Sequence, residues 1–286
     1  MLVLIDNFYL FCAQGDNKGI GLGLHIDAFI EAKQYNRGRY PLFSNYCPLI
    51  QCLDYPEVFF ADIPHHITQR GNRREDVFFT DEDRLVYLEW LKLYCKKHDV
   101  SVLAYCLMTN HVRLVLTPHT EEGLQQVLKP LHMRYSQHVN KTKRWKGHLW
   151  QSRFFSSPLD DAYTWSTIRY VERNPVEAGM VAKPEDYQWS SAAAHCGLKK
   201  SPILARLPEA MNGVSESDWA DWLALPGEKS LENIIERNVE KGLPCGSGAF
   251  VDNLEFIAKR PLRFKPQGRP NKQNKTKQNK TKQNKG

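Results

Sequence analysis

The chain has 286 residues, 42% of them hydrophobic and 25% charged, which is enough apolar content for a buried core and excludes a disordered or collagen-like polymer. Its formal net charge is +7, yet residues 259–286 hold eleven Lys and Arg and no acid, which leaves −4 on residues 1–258. Seven cysteines without a Cys-x-x-Cys pair exclude a zinc ribbon and a disulfide framework and fit reduced thiols in a cytoplasm.

Met1–Asp6 is apolar without a basic start, so neither a signal peptide nor a membrane span is expected. Residues 1–58 have no clear period and form an unassigned extension. Ile63–Gln69 alternates and stops at Arg70-Gly71-Asn72, which predicts a first strand. Thr80 or Asp81 caps a predicted helix through Lys97, with Leu85, Leu88, Leu91 and Cys95 at helical spacing. Val100–Leu107 and His111–Thr117 read as a two-stranded hairpin. A second helix is predicted from Glu121 to Asn140, its inner face marked by Leu124, Val127, Leu128, Leu131, Tyr135 and His138, with a bend at Pro130. Leu149–Leu159 reads as a further strand. A third helix starts at Asp160 or Asp161 and is expected to end near Asn174-Pro175, because the residue before proline avoids the helical region.

This order is that of a split β-α-β unit: an α+β, ferredoxin-like antiparallel sheet with helices on one side, over residues 59–198. Three short helices follow (Ser215–Leu225, Ser230–Lys241 and Ser247–Arg260), each beginning near a serine that can cap it, and residues 199–263 are read as a helical C-terminal region. Residues 264–286 form a basic low-complexity tail in which Lys-Gln-Asn-Lys-Thr repeats. With no apolar residue in its repeats, that tail is expected to be disordered and to meet a polyanion or solvent alone.

The segment Thr109-Asn110-His111-Val112-Arg113 places His111 and Arg113 two apart on a strand, hence on one face. Two histidines so placed hold a divalent metal compactly; an arginine stays protonated and has no lone pair to give. A guanidinium in that place can grip a phosphate instead. Arg70, Asn72, Arg73 and Arg74 form a basic loop, and Arg134, Lys143 and Arg144 cluster near Trp145, a mixture of cations and an aromatic that suits single-stranded nucleic acid and equally a solvated helix end.

Four phrases then carry a resemblance: His65-His66-Ile67-Thr68-Gln69-Arg70-Gly71-Asn72, Leu107-Met108-Thr109-Asn110-His111-Val112, Leu149-Trp150-Gln151-Ser152-Arg153-Phe154, and Arg169-Tyr170-Val171-Glu172-Arg173-Asn174-Pro175. In this order they resemble the single-tyrosine transposases with a His-hydrophobic-His motif, most closely the bacterial REP-associated tyrosine transposases. The resemblance implies breakage and rejoining of single-stranded or hairpin DNA through a 5'-phosphotyrosine, with Tyr170 as nucleophile. It also implies Mg2+ or Mn2+ held by His111 and Asn174. Arg113 stands where the family expects its second histidine, so metal binding is expected to be weakened, with Arg113 and His66 lining the site or contacting phosphate. Arg153 joins the expected DNA-binding residues. The competing expectation is a DNA-binding protein impaired in cleavage; an unrelated ferredoxin-like RNA-binding module is disfavoured, since no paired-aromatic platform is evident. A monomer and a homodimer both remain open, and a cytoplasmic location is expected.

Overall fold

The computed structural model describes residues 3–5, 8–10, 59–207 and 214–263. The chain divides into two units, residues 1–55 and 56–286. In the first, β1 (Val3–Ile5) and β2 (Phe8–Leu10) pair antiparallel. The rest of residues 1–58 and the tail after Arg263 lie outside the described residues, and with them the expectation of a disordered end.

The second unit is built on a four-stranded antiparallel sheet. Its strands are β3 (His65–Arg70), β4 (Val100–Leu107), β5 (His111–Pro118) and β6 (Phe155–Pro158), in the order β4-β5-β3-β6. This is the expected split β-α-β sheet. The last strand is shorter than the phrase Leu149–Leu159: Trp150 and Phe154 are buried in the core, and Gln151–Arg153 are exposed in a loop.

The crossover helices α1 (Asp81–Lys97) and α2 (Gly123–Lys143) lie together on one face. Thr80 starts α1 through a capping box: its hydroxyl accepts from the Asp83 amide at 3.2 Å and the Asp83 carboxylate accepts from the Thr80 amide at 3.0 Å. Tyr87, Leu91 and Cys95 supply its buried stripe, whereas Leu85 turns outward. Ile67, Val112, Leu114 and Leu116 point from the strands into the same core as Leu124, Leu128, Leu131 and Tyr135. Tyr135 is fully buried and donates its hydroxyl proton to the Val77 carbonyl at 2.8 Å, which makes it a core residue.

The opposite sheet face is covered by α3 (Asp161–Glu177), through Ile168 and Val171 against Ala104, Cys106 and Val115. Asp160 caps it, accepting from the Tyr163 amide at 2.9 Å. The helix runs on past Asn174-Pro175 to Glu177. Pro175 is buried in the last turn, so one missing N–H near the helix end is outweighed by packing. Two faces of the sheet are therefore covered, the crossover helices on one and α3 on the other.

After the short α4 (Ala192–His195) come α5 (Glu216–Ala224), α6 (Lys229–Glu240) and α7 (Gly248–Ala258). Ser215 and Ser247 cap α5 and α7 as expected; α6 begins one residue before Ser230, after Glu228, with no side-chain cap. Trp219 and Leu223 of α5 join the α3 core, and α6 packs beside β6, β3 and α3. Both outer strands already have backbone partners: the Val102 carbonyl of β4 accepts from Ala205, and the Leu107 amide donates to Trp189. On the far edge, the Cys245 amide donates to Pro158 of β6.

Candidate functional site

Antiparallel register decides which side chains meet beneath α3. Arg70 lies opposite His111 and Thr68 opposite Arg113, so His66, Thr68, Arg70, His111 and Arg113 share the sheet face that α3 covers. From α3, Tyr170 and Asn174 are one turn apart and present themselves to this face. The sequence-predicted core of the site, Tyr170, His111, Asn174, Arg113 and His66, is thus brought together.

His111 is nearly buried between two side-chain amides, with Nδ1 2.7 Å from Asn110 Oδ1 and Nε2 3.1 Å from Asn174 Oδ1. Burial, then the Arg113 and Arg70 guanidiniums, pull its pKa from 6.5 down to about 3, so the ring is neutral and has one N–H for two amides. An Nδ1–H donated to Asn110 leaves the Nε2 lone pair toward Asn174. The Arg113 guanidinium carbon lies 4.6 Å from the centre of the Tyr170 ring, and the His66 ring meets Tyr170 edge-on at 6.1 Å. Tyr170 is 8% exposed; burial raises its hydroxyl pKa, and the Arg113 charge opposes that rise. His66 is fully buried, neither ring nitrogen has a hydrogen-bond partner, and burial followed by the Arg113 charge holds its pKa well below 6.5.

Do these residues fit the divalent ion that the resemblance implies? Ligands about 2.1 Å from a hard octahedral ion and adjacent around it lie about 3.0 Å apart, a spacing that His111 Nε2 and Asn174 Oδ1 match at 3.1 Å. There the agreement stops. Where a third donor belongs stands the Arg113 guanidinium, Arg70 adds a second positive charge, and no carboxylate belongs to the set. Among the described residues no group of three His, Cys, Asp or Glu is placed to hold a metal. Two neutral donors beside two guanidiniums do not fit a resident Mg2+ or Mn2+.

What the sequence did not signal is Glu236. It reaches the site from α6, with Oε1 3.6 Å from Arg113 Nη2. Between them opens a cavity of about 300 Å³ whose lining includes Thr68, Arg70, Arg74, Arg113, Gln151, Glu236 and Glu240. No period or motif of α6 marks this contact; only the packing of α6 beside β3 creates it.

The expected DNA-binding residues divide. Arg70 and Arg74 line the cavity beside Arg113. Asn72 and Arg73 border a second cavity of about 350 Å³ with Trp145, which is 49% exposed. Gly71 makes this tight loop feasible, because a Cβ there would stand 2.1 Å from the Glu75 carbonyl oxygen. Lys143 lies against Phe79, its Nζ 4.2 Å from the ring centre, and Arg144 ends α2 in a left-handed conformation. Arg134 does not join either group: it stacks on Trp90 at 4.2 Å in the outer helix layer. Arg153 is exposed on the loop before β6.

Among the described residues no helix is long and apolar enough to cross a membrane. Comparison with curated proteins gives no match. Among solved structures, the chain is similar to a REP-associated tyrosine transposase bound to a REP hairpin, at 13% identity and a TM-score of 0.42, over 53% of this chain and 96% of that one. It is also similar to a protein described as a transposase from Deinococcus radiodurans R1, at 17% identity and a TM-score of 0.31, over 40% of this chain and 92% of that one. The model of IS200-like transposases matches residues 60–174, a span that begins ahead of β3, closes on Asn174 and contains every residue gathered beneath α3. Over that span, about two fifths of its length, the chain is similar to the IS200-like transposases.

Proposed function

We propose that this chain is a DNA transposase that binds a folded single strand of DNA and breaks and rejoins it through a covalent link to Tyr170. The Tyr170 oxygen attacks a backbone phosphorus as the P–O3' bond breaks; the phenolic proton is lost and the departing 3'-oxygen gains one. A free tyrosine hydroxyl, with a pKa near ~10, attacks a phosphodiester poorly unless positive charge draws electrons from the phosphate. The observation that carries this reading is the Arg113 guanidinium 4.6 Å from the Tyr170 ring, on the face that also bears His111 and Asn174. Arg113 orients the ring and offers charge to the phosphate. The Asn174 side-chain amide donates a hydrogen bond to its oxygens, beside neutral His111.

The basic loop Arg70–Arg74 and the exposed Trp145 suit backbone contact and base stacking outside the reacting centre. The second reading, DNA binding without cleavage, is favoured by the misfit of the metal ligands. Incubation of the purified chain with hairpin oligonucleotides, followed by denaturing electrophoresis, separates the two. A covalent adduct that disappears in Tyr170→Phe supports transesterification; hairpin binding that yields no adduct under any condition supports the second reading.

A further inference from the structure

We infer that the cavity between β3, β5 and α6 is a phosphate site that works without metal, with a phosphodiester of the bound strand as its ligand and Glu236 as the counter-charge that the phosphate displaces. The inference deepens the proposed function and rests on it for the identity of the strand. Three arginines, Arg70, Arg74 and Arg113, line a space of about 300 Å³ together with Thr68 and Gln151, against two carboxylates of α6, Glu236 and Glu240. Arg113 is 4% exposed, and its Nε is buried without a hydrogen-bond partner. Its acidic neighbour, Glu236 Oε1, lies 3.6 Å away, beyond hydrogen-bond distance, and the Glu236 side chain keeps 45% of its exposure.

A guanidinium so placed is enclosed yet unsatisfied, and the group facing it can return to water at little cost. A purely structural pair would have the opposite form, with both partners buried and hydrogen-bonded. An incoming phosphate offers oxygens that accept from a planar guanidinium in pairs, which Glu236 at its present distance does not. Position completes the argument. Arg113 touches both the cavity and the Tyr170 ring, so a phosphate held there lies beside the residue proposed to attack it. Arginine clamps stabilise a transferring phosphoryl group as metal ions do, and here the arginines stand where the metal ligands are incomplete.

Two probes test the site on the full chain: thermal unfolding in inorganic phosphate against chloride at matched ionic strength, and anisotropy titration of a single-stranded oligonucleotide in EDTA or in Mn2+. Phosphate is expected to raise the melting temperature, and EDTA to leave oligonucleotide affinity within about twofold. Arg113→Gln and the exposed-loop variant Arg74→Gln are each expected to abolish the phosphate effect and to weaken the oligonucleotide about tenfold. Each also lowers the slope of log affinity against log salt by about 0.7, one phosphate contact on a single strand. Glu236→Gln is expected to tighten both ligands about threefold, whereas a structural ion pair predicts no gain. Affinity that collapses in EDTA, a phosphate effect that survives Arg74→Gln, or a Glu236→Gln variant that binds no better overturns the inference. Phosphate binding that follows this pattern without any Tyr170 adduct sinks the transesterification and leaves the site standing.

Discussion

Glu172 should be the most costly single polar residue to remove from this fold. It is fully buried on α3, and three donors converge on its carboxylate: the Ser191 hydroxyl at 2.5 Å, His195 Nδ1–H at 2.6 Å and Trp219 Nε1–H at 3.0 Å. Glu172→Ala removes the acceptor and strands the His195 and Trp219 donors, while the Ser191 hydroxyl keeps the Tyr105 carbonyl at 3.4 Å. Each stranded buried donor costs ~1–3 kcal/mol, and breaking a buried charged network typically costs ~3–5 kcal/mol in all. Since a domain's whole stability is about 5–15 kcal/mol, the variant should fold only marginally. Urea unfolding followed by tryptophan fluorescence measures this directly. With a slope of about 2–3 kcal/mol/M, the midpoint should fall by about 1–2.5 M. A double-mutant cycle with Trp219→Phe should return a coupling of about 1 kcal/mol or more, because the two residues share a bond that neither variant keeps. A Glu172→Ala midpoint within about 0.3 M of the parent would refute the reasoning.

Acid should destabilise the chain well above the range of its carboxylates. Burial lowers the pKa of His65 to about 4, those of His111 and His132 to about 3, and that of His66 well below 6.5. Unfolded histidines take up protons below pH 6.5 while the folded ones do not. Stability is therefore complete above pH 6.5 and is lost as pH falls from there toward 4, by up to ~1.4 kcal/mol per pH unit per histidine. Urea midpoints measured at pH 7.5 and 5.5 check this, and equal values would contradict the burial of these rings. Arg113→His should create a third donor, and a second nitrogen, beside His111 Nε2 and Asn174 Oδ1. Mn2+ binding, read by electron paramagnetic resonance, should appear in that variant and be absent from the parent. Trp145→Ala should weaken single-stranded DNA by ~1–3 kcal/mol per stacked base and leave the melting temperature within a few degrees; unchanged affinity would remove Trp145 from the interface.

The parts of the fold written in local pattern were legible. Alternation in Ile63–Gln69, the Thr80 cap and the inward stripe from Leu124 to Tyr135 each depend on neighbours a few residues away, and each led to the right element. Leu85 misled because its spacing suits the stripe while Tyr87, two residues on, is the side chain that turns inward. Pro175 misled because the local cost of proline near a helix end is small against the packing that holds the last turn of α3. At the candidate site, strand parity alone placed His111 and Arg113 on one face, and the resemblance brought Tyr170 and Asn174 to them. Glu236 and the Glu172 network escaped both routes. Their partners come from distant elements, α6 for Arg113 and α4 and α5 for Glu172, and no local spacing encodes where an appended helix docks.

The backbone partners along β4 and β6 bear on how copies of this protein can associate. An unpaired outer strand invites another chain to add a strand of its own, in dimers and in aggregates alike. Here the Trp189–Ala205 segment occupies one flank and Cys245 the other. A second molecule would have to dislodge those segments before extending this four-stranded sheet. The same segments that complete the fold thus guard these two edges against strand addition.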